Sequence, residues 1–406
     1  MELSIEKASI EELAIEGVRF SSVESGIRYA NRQDLVLVEL ADGSHTAGVF
    51  TKNAFCAAPV VVAREHLLAC APRYFLINTG NANAGTGAQG LKDARESCQA
   101  LAAIAGIDER EVLPFSTGVI GEPLPLAKLV DGLPAAHAQL GQHALTSAAR
   151  GIMTTDTRPK TSARQVEIGG AKVSIAGMAK GAGMIKPNMA TMLAYVFTDA
   201  ALSKATLEAL LKSQVNKSFN RITVDGDTST NDCCLLSATG RSAALVENES
   251  GECDPLFEKA LSEVFQELAM EVIRDAEGAT KFVTVQVSGA ASVEECLAVA
   301  YTVAESPLVK TALFASDPNW GRILAAIGRA GVDGLVIDEV TIRLGDTLIV
   351  EGGARAASYT EEAGQREMDK QDILIAIDLQ RGSVCETIYT SDLSHDYVSI
   401  NADYRS

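Results

Sequence analysis

The sequence predicts an α/β protein, and two observations lead to this fold class. Short apolar runs with the character of buried strands alternate with longer segments of helical periodicity. The chain has 406 residues, of which 47% are apolar and 22% charged, so it can bury a large core. A chain of this length is expected to form two or more lobes.

In residues 1–190 the spacing of apolar residues and the positions of turn residues predict the strands and helices. Strands are predicted at 35–40, 47–50, 74–78 and 111–115, and the turn Ala41-Asp-Gly-Ser44 joins the first two. Helices are predicted at 91–105, after a glycine-rich loop, and at 127–145, with a break at Gly132-Leu-Pro134. Residues 166–178 are predicted to form a hairpin that turns at Gly169-Gly170.

In residues 191–406 the same patterns continue. Helices are predicted at 204–215, 254–275, 306–313 and 322–328. Strands are predicted at 192–197 and 282–287, within 335–350, and at 372–378. The charged segment 361–372 is expected to be exposed.

Charge is spread unevenly along the chain. Residues 1–190 carry 18 Lys and Arg against 19 Asp and Glu, a net charge of −1, and residues 191–406 carry 17 against 34, a net charge of −17. Together these give the formal charge of −18. An acidic half argues against binding to nucleic acid or to an anionic membrane. It suits a cationic small substrate, although a solvated acidic surface is the commoner explanation of such residues.

The ends of the sequence and its apolar runs bear on localisation. Residues 1–16 carry five Glu and one Lys, unlike a basic, cleavable signal. The longest apolar run, 54–63 with Pro59 inside it, is far shorter than the roughly 20 residues of a membrane helix. We therefore expect a cytoplasmic protein without a membrane span.

Several familiar site motifs are absent or incomplete. The eight Cys are scattered without a CxxC pair, so we expect reduced, buried thiols and no metal. Residues 85–90 match GxGxxG, but six residues separate the preceding strand from its glycines. Residues 223–232 open like a calcium loop, but Thr230 stands where that loop needs Gly and Leu236 where it needs Glu. No GxSxG, HExxH or GxxxxGK[ST] occurs.

The stretch from Lys180 to Thr191 has the composition that self-cleavage needs. Its glycines permit backbone angles closed to other residues, and Pro187 fixes the loop further along. The loop ends on a hydroxyl residue, Thr191, which begins a predicted strand after the small residue Ala190. Thr191 could attack the Ala190 carbonyl, become a new N-terminus, and use its amine as a base for its own hydroxyl. Judged alone, such a loop is more often a simple turn.

The exact residues of this stretch are more informative about function than its composition. Residues 180–193, KGAGMIKPNMATML, resemble the cleavage motif of the ornithine acetyltransferase family, also called bifunctional glutamate N-acetyltransferase. Further family-like motifs are NTGNANA at 78–84, STGVIGE at 116–122 and TVDGDTSTND at 223–232. The resemblance covers essentially the whole chain.

The resemblance implies a fold and an assembly. The fold would be a self-cleaving α/β sandwich with mixed sheets between helical layers, plus a smaller α+β C-terminal lobe at about 284–390. Cleavage between Ala190 and Thr191 would give an alpha segment, 1–190, and a beta segment, 191–406. Two copies of each segment would form a heterotetramer.

The resemblance also implies an activity. An acetyl group would pass from N2-acetyl-L-ornithine to L-glutamate through an acetyl-Thr191 enzyme, in a ping-pong reaction of arginine biosynthesis. No cofactor is implied, and acetyl-CoA stays open as a second acetyl donor.

Site residues follow from the matching motifs. Thr191 is the implied nucleophile, and Thr117 and Gly118 form the implied oxyanion hole. Lys180 suits a substrate carboxylate and Glu277 an ammonium group. The implied substrate-binding set is Thr154, Lys180, Thr191, Glu277, Asn401 and Ser406. Outside these motifs each charged member would be read as an ordinary surface residue, and Thr-Gly as an ordinary turn.

Two other functions stay open at this point. A related self-processed aminopeptidase or amidase would use water as the acceptor and release free acetate. A non-catalytic amino-acid sensor would bind ornithine or glutamate without turnover and without chain cleavage.

Overall fold

The computed structural model describes residues 5–9, 13–142, 144–186 and 192–404. Its strands are β1 (Glu6–Lys7), β2 (Val18–Val23), β3 (Leu35–Leu40), β4 (His45–Phe50), β5 (Tyr74–Asn81), β6 (Val112–Val119), β7 (Lys160–Ile168), β8 (Ala171–Lys180), β9 (Leu193–Thr198), β10 (Cys233–Ala238), β11 (Phe282–Ala290), β12 (Thr341–Leu344), β13 (Thr347–Glu351), β14 (Ala354–Arg355), β15 (Asp372–Asp378) and β16 (Val384–Ser391). Its α-helices are α1 (Ala58–Ala69), α2 (Gly87–Ala105), α3 (Leu126–Ala138), α4 (Leu145–Gly151), α5 (Lys204–Lys217), α6 (Pro255–Arg274), α7 (Val293–Ala304), α8 (Pro307–Phe314), α9 (Trp320–Gly328), α10 (Glu361–Met368) and α11 (His395–Ala402).

The described residues group into two compact units. The first unit takes its residues from 1–181, 187–220 and 228–272. The second takes its residues from 182–186, 221–227 and 273–406. The proposed cut into 1–190 and 191–406 concerns a covalent bond, and it stays a prediction.

The first unit contains two mixed sheets. One has six strands in the order β1-β7-β8-β9-β10-β4, and the other has four in the order β2-β3-β5-β6. Each sheet combines antiparallel pairs with one parallel pair, which is β9 with β10 in the first sheet and β5 with β6 in the second. Strands β3, β9 and β10 are buried at every residue, as expected for strands covered on both faces.

Aromatic side chains pack between these two sheets. Phe115 and Phe75 of the four-stranded sheet contact Tyr195 of the six-stranded sheet, with ring centroids 5.3 and 5.8 Å apart. Phe20 contacts Phe197 at 5.4 Å. Rings at these distances add about 0.5–1.5 kcal/mol per pair to the free energy gained by burial. The sheets are therefore two layers of a sandwich with one shared apolar core.

Helices cover the outer faces of this sandwich. Apolar residues of α1, α2 and α3 share a second core with strands β3, β5 and β6 of the four-stranded sheet. Helix α5 packs on β4 and β10, and α6 comes so close to β8 that a Cβ on Gly177 would lie 2.9 Å from the Leu268 side chain. The expected sandwich of mixed sheets between helical layers is confirmed.

The second unit contains one mixed sheet with helices. Its strand order is β14-β13-β12-β15-β11-β16, with β11 and β15 parallel and the other pairs antiparallel. Helices α7, α8 and α9 contribute to its apolar core, which includes Val285, Val299 and Ile327. This unit has the α+β character expected of the C-terminal lobe.

The predicted hairpin is present as β7 and β8. Ile168 pairs with Ala171 across a two-residue loop, Gly169-Gly170. Both glycines have positive φ, +60° and +83°, as a type I′ turn requires. The hairpin places Lys180 at the end of β8.

The turn at 41–44 joins β3 to β4 as predicted, and the two strands belong to different sheets, because β3 pairs with β2 and β5 while β4 pairs with β10. The predicted break and end of the helix at 127–145 are wrong. Helix α3 continues through Gly132 to Pro134 and ends at Ala138. A Cβ on Gly132 would lie 2.4 Å from the Ser25 hydroxyl oxygen, so this glycine provides close packing and not a break.

Helix α2 begins four residues earlier than predicted, inside the glycine-rich loop, at Gly87. Side chains of Asn83 and Thr86 lie over its first turn, where a Cβ on Gly90 would be 1.8 Å from the Thr86 hydroxyl oxygen. Gly90 therefore lets these two side chains lie against the first turn of the helix.

The cysteines and the helices bear on two further expectations. All eight Cys are free thiols, four of them buried, and Cys385 alone among them is exposed. In the described part of the chain, every helix is too short or too polar to cross a bilayer.

Candidate active site

Thr117 and Gly118 lie near the end of β6, beside the matching pair Thr79-Gly80 of β5. Gly118 has φ +135°, and a Cβ at this position would lie 2.3 Å from the backbone carbon of Gly80. Only glycine fits there, because the contacted atom belongs to the backbone and cannot move aside. The two strand ends consequently approach each other without intervening side chains.

Lys180 donates a hydrogen bond from Nζ to Oγ1 of Thr117, 3.1 Å away. A threonine hydroxyl carries one proton and two acceptor lone pairs. Because Lys180 occupies an acceptor position, the hydroxyl proton can point to another group. The neighbouring positive charge also makes that hydroxyl a stronger donor.

Asp156 organises the backbone around Lys180 and Thr154. Its carboxylate accepts hydrogen bonds from the N–H of Gly181 at 2.8 Å and from the N–H of Thr154 at 2.9 Å. It also forms an ion pair with Lys160, and both side chains are fully buried. Burial alone would raise the pKa of Asp156, but the charges of Lys160 and Lys180 and the hydrogen bonds lower it to about 2. This carboxylate is therefore ionised at neutral pH.

The loop before β10 supports the same strand end. The Asn231 side-chain amide donates to the carbonyl oxygens of Ser116 at 2.9 Å and Ala82 at 2.6 Å. These contacts fix the peptide that precedes Thr117. Asn231 is itself buried, so its two hydrogen bonds are protected from water.

Asp232 is a second buried carboxyl group of the first unit. Burial raises its pKa well above the usual value, although Ser229 and the charge of Lys180 act in the opposite direction. Its Oδ2 atom has no hydrogen-bond partner within the residues that the structure describes. Within the first unit, the pKa of Asp232 is thus raised and that of Asp156 is lowered.

In the second unit, Glu277 and Asn401 are in direct contact. The Asn401 amide donates to the Glu277 carboxylate at 2.7 Å, and the N–H of Glu277 donates to the carbonyl of Ala182 at 2.9 Å. A Cβ on Gly183 would lie 2.3 Å from a carboxylate oxygen of Glu277. Because Gly183 has no side chain, the Glu277 carboxylate can lie against its backbone.

The predicted site residues divide as follows. Thr117, Gly118, Thr154 and Lys180 come together in the first unit, and Glu277 and Asn401 come together in the second. Ala190, Thr191 and Ser406 lie outside the described residues. Their roles stay predictions.

Asp156, Asn231 and Asp232 were not predicted from the sequence. Several of their partners are distant in the chain, since Gly181 lies 25 residues from Asp156 and Ala82 lies 149 residues from Asn231, so local spacing gives no signal for these contacts. A weak signal was the repeated occurrence of Asp and Asn in the family-like loop 223–232. Among the described residues, no cluster of three or more His, Cys, Asp or Glu side chains is placed to hold a metal ion.

The fold and these side chains define a class of protein. It is an α/β sandwich in which a hydroxyl and a glycine at a strand end are backed by a lysine, an arrangement suited to stabilising an oxyanion in acyl chemistry.

Comparison with known proteins gives the family. A sequence model of the ArgJ family matches residues 19–406. The arginine biosynthesis bifunctional protein ArgJ of Psychrobacter arcticus is 55% identical over 394 residues, covering 97% of both chains. The protein of the same name from Pseudomonas fluorescens is 53% identical over 393 residues, again covering 97% of both. The chain belongs to the ArgJ family, which confirms the resemblance seen in its motifs.

A solved structure is also similar. The ArgJ protein of Bacillus halodurans is 37% identical, with a TM-score of 0.49, and the match covers 53% of this chain and 100% of that one.

Proposed function

We propose that this protein transfers an acetyl group from N2-acetylornithine to glutamate in arginine biosynthesis. The observation that carries the proposal is the family match over residues 19–406, with relatives named as arginine biosynthesis bifunctional proteins over 97% of the chain. The contact of Lys180 with Thr117 supports it, because it provides a polarised donor for an acyl-transfer oxyanion.

The first step of the proposal is maturation. The Thr191 hydroxyl oxygen adds to the Ala190 carbonyl carbon, the peptide C–N bond breaks, and the nitrogen gains the hydroxyl proton. Water then hydrolyses the resulting ester, which leaves a carboxylate on Ala190 and a free α-amino group on Thr191. The products are the segments 1–190 and 191–406.

The free amine then serves as the base. An α-amino group has a pKa of about 7.7–8.0, so much of it is uncharged near neutral pH. It takes the hydroxyl proton of Thr191 as the oxygen attacks the acetyl carbon of N-acetylornithine. Thr117 and Gly118 donate hydrogen bonds to the oxyanion that forms.

Transfer completes in two half-reactions. The amide C–N bond breaks, ornithine leaves with the proton that the Thr191 amine had taken, and the acetyl group remains as an ester on Thr191. The amine of glutamate then attacks this ester, and the Thr191 oxygen leaves and regains a proton. Atoms balance because one α-amide replaces another.

Substrate recognition draws on the remaining residues of the set. We propose that Lys180 binds a substrate carboxylate, because its ammonium group is a positive point charge. Glu277, oriented by Asn401, suits the side-chain ammonium of ornithine. Thr154 and Ser406 complete the proposed set. We also propose a cytoplasmic heterotetramer of two segments 1–190 and two segments 191–406.

One experiment tests both the cleavage of the chain and the transfer of the acetyl group. Purified protein is analysed by intact mass and then assayed for acetylglutamate with N-acetylornithine or acetyl-CoA as separate donors. We expect two polypeptides and transfer from N-acetylornithine, and the acetyl-CoA assay shows whether a second donor is used. Free acetate without a need for glutamate would identify an amidase, and binding without turnover would identify a sensor. A single uncut chain with full activity would refute the proposed mechanism.

A further inference from the structure

The segment Ala182–Lys186, which precedes the proposed cleavage point in the chain, is held by a network of hydrogen bonds in the second unit. The carbonyl of Ile185 accepts from the N–H of Val224 at 2.8 Å and from the Thr223 hydroxyl at 3.1 Å. Lys186 forms an ion pair with Glu305 at 2.9 Å. The segment therefore has one defined shape up to its last described residue.

Within this segment Met184 has an unfavourable backbone conformation. Its φ is +55°, in the left-handed region that residues with a Cβ rarely adopt. For such residues this conformation costs about 1–2 kcal/mol. The Met184 side chain is 41% exposed, so burial of the side chain does not compensate for that cost.

Asp225 makes the contacts that compensate for it. One carboxylate oxygen accepts from the N–H of Met184 at 2.6 Å, and the other accepts from the N–H of Ile185 at 2.9 Å. Two consecutive backbone N–H groups thus converge on one carboxylate, which is the usual way to hold a left-handed turn. Asp225 is half-buried, so water competes only partly for these bonds.

The same carboxylate is tied to the C-terminal helix. The Tyr397 hydroxyl of α11 donates to Asp225 at 3.1 Å, and Asn401 of the same helix holds Glu277. Asp225 therefore links the segment before the cleavage point to the helix that orients a proposed substrate-binding carboxylate.

We infer that Asp225 is a positioning residue for self-cleavage, which keeps Met184 in its strained turn on the N-terminal side of the proposed cut. The inference rests on the proposed function, because it assumes that the chain cuts itself. Asp225 takes no part in bond making or breaking. It acts by limiting the shapes that the segment can take before the reaction.

The direct test follows cutting of the full-length chain after a pulse of cell-free synthesis. Asp225→Asn keeps the shape of the side chain but replaces one acceptor oxygen with an NH₂ group that cannot accept from Met184 or Ile185. We expect cutting about 10- to 100-fold slower, the effect of losing one charge-assisted hydrogen bond. The matched control is Asp227→Asn, which removes an exposed carboxylate from the same loop and should stay within about twofold of the unchanged chain.

A second set of variants tests the strained turn. Glycine adopts positive φ without steric cost, so Met184→Gly should restore about tenfold of the rate lost in Asp225→Asn. Met184→Val, with a β-branched side chain at the same exposed position, should by itself slow cutting about tenfold while Asp225 is intact. The same changes in uncut Thr191→Ala chains, compared by thermal unfolding, separate slow cutting from loss of the fold.

The outcomes are distinguishable. If the unchanged chain is never cut, the proposed self-cleavage fails. If it is cut and Asp225→Asn is cut equally fast, or no faster than Asp227→Asn, the positioning role is overturned. If neither Met184 variant changes the rate, Asp225 does not act through the strained turn, and the inference is equally overturned.

Discussion

At the scale of single residues, the hydroxyl of Thr117 is the group on which the proposed chemistry most depends. It is 7% exposed and accepts a hydrogen bond from Lys180, so its own proton is available in a site largely closed to water. In such a site a donor aimed at a developing charge is worth more than in water.

Replacing Thr117 with Val should therefore reduce acetyl transfer by about 10²–10³-fold in kcat, because the shape is kept and one oxyanion donor is lost. Thr117→Ser keeps the hydroxyl and is the matched control, which should retain most of the rate. Steady-state kinetics with N-acetylornithine and glutamate measures both. Equal rates for Val and Ser would argue against a role for the hydroxyl.

The contribution of Asp156 to the stability of the fold depends on pH. Its pKa is lowered from 3.8 to about 2 in the folded protein, so its stabilising contribution is present above about pH 4 and is lost as the pH falls towards 2. The shift corresponds to a loss on the order of 2 kcal/mol.

Asp156→Asn leaves Lys160 buried without its counter-charge and should lower the free energy of unfolding by about 3–5 kcal/mol near pH 6. Urea unfolding at pH 6, 4, 3 and 2 should show a difference from the unchanged chain that is constant down to about pH 4 and shrinks below it. Asp131→Asn, an exposed carboxylate of α3, serves as control. A difference that stays constant with pH would contradict the assignment.

At the scale of elements, the hairpin β7–β8 shows what sequence can predict. Gly169 and Gly170 fix its turn through backbone angles alone, since no atom lies within 4 Å of a Cβ built on either. A turn of this kind can be predicted from the two consecutive glycines alone. The pairing of β3 and β4 with different partners was not readable, because strand partners are chosen by residues far along the chain.

Gly170→Ala should destabilise the protein by about 1 kcal/mol, because alanine resists the φ of +83° that the turn needs. Gly170→Asn should cost less, since asparagine tolerates the left-handed region. Urea midpoints compare the two. If alanine proved no worse than asparagine, the turn would not depend on this angle.

At the scale of the whole molecule, the sequence motifs and the tertiary contacts point to different sets of residues. Family-like motifs in the sequence predict the sandwich, which the structure confirms, and they point to Thr117, Gly118 and Lys180, which the structure brings together. They do not predict the supporting roles of Asp156 and Asp225, whose hydrogen bonds include contacts with Gly181, 25 residues away, and Tyr397, 172 residues away. Supporting residues of this kind are set by tertiary packing, and only the folded chain shows them.

The proposed assembly makes a prediction at this scale. The native protein should have about twice the 42.7 kDa mass of one chain, and denaturation should release two polypeptides. Net charges of −1 for 1–190 and −17 for 191–406 should separate them by anion exchange in urea. Light scattering on the native sample measures the mass. A native mass of 42.7 kDa would exclude the heterotetramer.

The contact between Gly118 and Gly80 has a consequence for mutational tolerance. Because an added methyl group at Gly118 would lie 2.3 Å from backbone, a saturation library should reject every replacement there to a similar degree, whatever its polarity or size. A change at one strand end could survive only together with a displacement of the other. The two positions should therefore behave as a single locus under selection.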